Sequence, residues 1–175
     1  MTKEFKSIEP PDSMHLKAAE GWLELGDNAS AREELENISQ ELQAHPGVLE
    51  VRWEIYAKEK RWEDCVELAR SLTQLVPANP AGWIHCAYSL RRADGGGLPA
   101  AWDLLSTVAD KFPDVPVIPY NLACYAAQMN RLDYARACLK KAFAIATKQG
   151  THNQIRRMAM EDPDLEPLWK EIAST

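Results

Sequence analysis

The sequence predicts an all-α fold built from repeated helix pairs, and three observations predict it. The first is the stretch Pro119–Ala146, PYNLACYAAQMNRLDYARACLKKAFAIA. Leu122, Ala123 and Ala126 share one helical face, and Ala135, Leu139 and Ala142 share another at steps of four and three. The second is recurrence. Small residues fall at Ala31, Cys65, Ala101 and Ala135, separated by 34, 36 and 34 positions. Leu35, Ala69, Leu105 and Leu139 repeat those separations, as do Ile38, Leu72, Val108 and Ala142. In the preceding helices, Ala19, Trp53, Ala87 and Ala123 are spaced 34, 34 and 36, and so are Trp22, Tyr56, Leu90 and Ala126. The third is punctuation. Gly26-Asp27 and Asn130–Asp133 interrupt the apolar pattern between stripes, and Gly95–Gly97 supplies the two extra residues that the spacing demands between Leu90 and Ala101.

Taken in order, residues 1–11 are polar, with adjacent prolines, and are expected to form a flexible lead-in without a signal peptide. Four units follow, at 12–45, 46–79, 80–115 and 116–149. In the first, a helix over 13–25 ends at Gly26, a favourable C-cap, and a glutamate-rich helix starts near Ser30. In the second, Trp53, Tyr56 and Trp62 stand at spacings for packing between two helices. The triple glycine of the third lacks the lysine and Ser/Thr of a phosphate loop, so it reads as a permissive turn. Residues 150–175 add helices at about 152–160 and 164–173. Leu165, Leu168, Trp169 and Ile172 form a stripe suited to capping the fourth unit.

A two-helix period of 34 residues resembles the tetratricopeptide repeat family. Further residues that carry the resemblance are Gly26-Asp27, Trp83, and Pro46, Pro77 and Pro113 near the ends of second helices. The resemblance covers about residues 12–149. It implies a right-handed superhelix of helical hairpins, with first helices lining a concave groove in which peptides lie.

The formal net charge of −6 is uneven. Residues 1–80 hold 16 acids and 9 bases, a balance of −7, and residues 81–175 hold 10 acids and 11 bases. No basic run with interleaved aromatics occurs, which argues against nucleic-acid binding. No apolar run approaches the ~20 residues of a membrane span. Cys65, Cys86, Cys124 and Cys138 make no CxxC pair and fit no zinc spacing. Cys65, in the small-residue series, reads as a packing thiol in a reducing cytoplasm. His15, His45, His85 and His152 are scattered, and no HExxH or GxSxG motif is present. Neither an enzyme nor a cofactor or metal is expected.

Mapping unit onto unit gives four ladders on the expected groove face: Leu16, Glu50, Ile84, Tyr120; Glu20, Glu54, Tyr88, Cys124; Leu23, Ala57, Arg91, Ala127; and Glu24, Lys58, Arg92, Gln128. Candidate contacts are Glu20, Glu50, Glu54, Tyr88, Arg91, Arg92 and Tyr120. Glu20 with Glu24 and Glu50 with Glu54 are like-charge pairs at i, i+4, each costing an isolated helix roughly 0.2–0.5 kcal/mol. The lysine–asparagine–arginine clamp with which some proteins of that family hold a chaperone's C-terminal carboxylate has no counterpart here. The matching positions are Leu16, Glu20, Val51, Ala81 and His85, or one unit later Glu50, Glu54, His85, Val117 and Asn121.

The expected function is that of an adaptor or scaffold, monomeric, binding a protein or a peptide with a basic segment. A self-assembling structural subunit is the alternative, and a secretion-type chaperone a narrower version of the adaptor.

Overall fold

The computed structural model describes residues 5–174. Among them the secondary structure is wholly helical: α1 (Asp12–Glu24), α2 (Asn28–Glu36), α3 (Pro46–Lys58), α4 (Trp62–Leu75), α5 (Pro80–Leu90), α6 (Leu98–Val108), α7 (Val117–Gln128), α8 (Leu132–Lys148), α9 (His152–Glu161) and α10 (Trp169–Ala173), with short 3-10 segments between some of them. The chain divides into two compact units, residues 1–94 and 95–175. The division falls at the glycine-rich loop, between the two helices expected to form the third pair.

In the first unit α1 packs on α2, α3 on α4, α2 against α3, and α4 along α5. Small side chains sit where the paired helices approach. Ala19, Ala31, Cys65, Ala69 and Ala87 are fully buried, with Leu35 and Leu72 beside them in the core. In the second unit α7 packs on α8, α6 against α7, and α8 against α9. Ala101, Ala123, Ala135 and Ala142 are again fully buried.

The turns between helices follow one pattern. Gly26, Lys60 and Asn130 have φ of 81°, 59° and 58°. After each, the next amide reaches back five residues: Asp27 N–H to Trp22 O (2.9 Å), Arg61 N–H to Tyr56 O (2.9 Å) and Arg131 N–H to Ala126 O (2.8 Å). This left-handed closure satisfies carbonyls that the helix end would leave unpaired. α5 ends differently. Arg92 and Ala93 both donate to Ser89 O (2.9 Å each), and the chain continues into Gly95–Gly97. Glu63 accepts the Asp94 amide at 3.0 Å.

Three expectations shift at element ends. α2 begins at Asn28, ahead of Ser30, because Asp27 Oδ1 accepts the Ser30 amide (3.0 Å) and caps the helix. Of the lead-in, residues 1–4 lie outside the described residues. Phe5 meets the His45 ring edge-on at 5.6 Å, and Ile8 packs on the core. The single helix expected over 164–173 is a 3-10 segment, Pro163–Leu168, followed by α10. Pro167 has no N–H to give the Pro163 carbonyl, so an α-turn cannot close there.

That C-terminal segment does bury its apolar stripe. Leu165, Leu168 and Ile172 are 0%, 1% and 2% exposed, and the Trp169 Nε1–H donates to Ala159 O at 3.0 Å. Each aliphatic chain contributes about 1.5–3 kcal/mol of burial, an upper figure because unfolded chains are not fully extended. Leu168→Ala should therefore lower stability by about 2–5 kcal/mol. Urea unfolding followed by circular dichroism measures this. A loss below about 1 kcal/mol would remove Leu168 from the core.

Candidate functional site

The ladder face of the first unit is built on α1, α3 and α5. Trp53 fixes its centre. In the series Ala19, Trp53, Ala87 and Ala123 an indole stands where the other units have alanine. Too large for the gap between helices, it extends to the ladder face while remaining 7% exposed. Its Nε1–H donates to Ser89 Oγ at 3.0 Å, and the Ser89 hydroxyl donates to His85 O at 2.7 Å. The His85 ring stacks on the indole with centroids 3.9 Å apart and planes 20° from parallel. Tyr88 meets both Trp53 and Trp62 edge-on at 6.0 Å.

Beside this cluster lies an open depression of about 360 Å³, lined by Trp53, Glu54, Ala57, Lys58, Ile84, His85 and Tyr88. Its walls are mostly apolar, and its charged groups are few. Burial holds the His85 imidazole neutral, lowering its pKa to about 4. The Lys58 ammonium donates to Leu23 O, at the end of α1. Arg92 lies over the Tyr88 ring, its guanidinium carbon 3.6 Å from the centroid.

The acids form a line. Burial and the charge of Glu54 raise the Glu50 pKa above its ordinary value, with His45 opposing. Burial raises that of Glu54 too, Lys58 opposing and Glu20 adding to it. Glu50 also accepts from Asn79 Nδ2 at 3.4 Å. Glu54 and Tyr88 thus line one depression, Glu50 and Glu20 stand close enough to Glu54 for their charges to interact, and Arg92 is laid on the tyrosine. Arg91 follows α5 as its half-buried C-cap.

Tyr120 takes a different place. It is 4% exposed, in the second unit, and its hydroxyl donates to Asp162 Oδ2 at 2.8 Å. The Cys124 thiol donates to the same oxygen at 3.4 Å, and Gln128 Nε2 donates to Asp164 O at 3.3 Å. Three of the four ladder positions on α7 are thereby engaged by the chain's own segment after α9. Burial is the main cause raising the Tyr120 pKa. Cys124, Asp162 and Asp164 place ligand-type atoms within 4.8 Å of one another. Asp162 Oδ1 there accepts the Asp164 amide at 2.9 Å, so both its oxygens hold local structure.

Residue spacing alone placed Trp53 in the core, as the structure does, but did not show that it also borders the depression, nor that His85 stacks on it. The signal that could have found them is the misfit of an indole in a series of alanines. No protein-family model matches the chain, and no curated protein matches it. Among the described residues no helix is long and apolar enough to cross a membrane.

The raised pKa values of Glu50 and Glu54 have a definite sign. Their charged forms are disfavoured in the fold, so the folded state holds protons more tightly than the unfolded chain. Stability contributed by these two groups rises as pH falls through their folded pKa values toward the ordinary 4.5. His85 acts oppositely, losing stability between 6.5 and about 4. Glu50→Gln with Glu54→Gln should leave the protein at least as stable as wild type at pH 7, the gap closing by about pH 4. Thermal melts of both proteins across pH isolate the difference. A double variant less stable at neutral pH would show that the two charges support the fold.

Proposed function

We propose that the chain is a tetratricopeptide-like protein-binding module, its four helix pairs wound as one right-handed superhelix. On this reading it holds a partner's peptide or helix against the ladder face of α1, α3 and α5. The observation that carries the reading is the open depression beside Trp53, with a line of acids next to it. At the corresponding ladder of α7 the chain's own residues 162–164 occupy the polar positions.

The chemistry selects a type of ligand. An apolar side chain fits against Trp53, Ile84 and Ala57, and stacking on Tyr88 adds contact area. A lysine or arginine beside it relieves the repulsion among Glu20, Glu50 and Glu54. Charge then sets orientation and association rate more than total affinity. The thiols fit a reducing compartment: burial pushes Cys65 up to about 11, so it is a poor nucleophile.

A partner captured from the native cell supplies the test. Glu20→Lys with Glu54→Lys should weaken its binding by roughly tenfold and reduce the salt dependence, with an unchanged circular dichroism spectrum. Titration calorimetry at two salt concentrations reads both effects. Unaltered affinity would remove this face from the interface.

A further inference from the structure

The outer side of α1 carries the largest exposed apolar residues of the first unit. Met14 is 67% exposed, Leu25 77% and Trp22 38%. Met14, Ala18, Gly21 and Leu25 follow the spacing of one helix face, with Trp22 beside Gly21. An open depression of about 540 Å³ lies over it, with Glu24 and Glu34 at its edge.

The repeat shows what normally covers this face. Position 14 corresponds to Val48, Gly82 and Ile118, all buried, and position 21 to Ile55, Ser89 and Tyr125, all buried. In α3 and α5 the burial comes from the second helix of the preceding pair. A Cβ on Gly82 would stand 3.0 Å from Leu72 Cβ on α4. Arg32 and Leu35 of α2 lie beside Arg52 and Ile55 of α3. Only on α1 is the face open among the described residues.

We propose that this face is a docking surface for one amphipathic helix of a partner protein, bearing an apolar stripe with arginine or lysine beside it. The charge follows from two features. In α3 the equivalent positions meet an arginine: Arg32 lies 5.9 Å from the Tyr56 ring and donates to Glu59. Tyr56 and Glu59 correspond to Trp22 and Leu25, so a partner's guanidinium would lie over Trp22, with no acid at the place of Glu59. The second is the pair of acids at the rim of the depression, Glu24 and Glu34, the latter already paired with His15. Gly21 has nothing within 4 Å of a Cβ position, which leaves room for a close helix crossing. A second copy fits less well, because two such faces would set Glu24 and Glu34 against their own counterparts. The surface meets the ladder face at Glu24 but shares no lining residue with the depression beside Trp53 and does not depend on it.

The test uses the full chain, labelled with nitrogen-15, and a stapled helical peptide. The peptide carries the sequence of residues 27–38 with Glu33, Glu34 and Glu36 replaced by lysine, keeping the Arg32 and Leu35 contacts. Amide shifts should cluster on Met14–Leu25 and Glu34 and diminish as salt is raised. The unmodified acidic peptide should bind more weakly. Leu25→Asp and Gly21→Gln change solvent-facing positions, so the fold survives, and each should weaken binding roughly tenfold, as loss of an anchor does. Absence of these shifts at high peptide concentration overturns the proposal, as does an undiminished response in both variants. Shifts on α1 that grow with protein concentration alone overturn it in favour of a second copy.

Discussion

Close approach of paired helices at a small side chain is the constraint on which the structure depends. Ala19, Ala31, Cys65, Ala69, Ala87, Ala101, Ala123, Ala135 and Ala142 are all fully buried. Seven of them belong to the two series of small residues, while Ala69 and Ala142 stand at positions that other units fill with buried leucine, isoleucine or valine. Interiors at crystal-like packing density tolerate little change in volume. The 34-residue series therefore records a steric requirement, repeated each time two helices pack.

Trp53 is the informative violation. A side chain too large for its slot is carried to the ladder face, where a serine hydroxyl holds its N–H and a neutral histidine covers its ring. Ser89, itself fully buried, accepts from that indole and donates to the His85 carbonyl, so its hydroxyl is satisfied on both sides. The acids nearby are kept at a cost in neutral-pH stability, since burial and their neighbours raise the pKa of both Glu50 and Glu54. Groups that strain the fold while facing an open depression are a recurring mark of binding surfaces.

The same ladder positions behave differently on α7. There Tyr120, Cys124 and Gln128 give their donors to the segment that follows α9, while Leu165 and Leu168 enter the core. The short turn at Pro163–Leu168 fits here because Pro167 denies an α-turn its hydrogen bond, and Asp162, which caps the 3-10 segment, faces α7. One repeat pattern thus yields an open face in one unit and a covered face in the other.

The sequence by itself determined the helix pairs, their period and most of their turns. A glycine at position 26 and an asparagine at 130 mark left-handed closures, and the buried small residues follow directly from spacing. These are local or periodic requirements, legible wherever one residue type alone meets them. Lys60 was not legible, because its left-handed turn is imposed by the hairpin and not by the residue. Tertiary structure alone decided which ladder residues stay open. Glu54 and Tyr88 share a depression while Tyr120 is covered, and no period within the repeat could distinguish them. Coverage depends on a segment some 40 residues away in sequence, whose capping stripe was visible but whose seat on α7 was not. The two-unit division is of the same kind: it sits at a glycine-rich loop that spacing identified only as a longer turn.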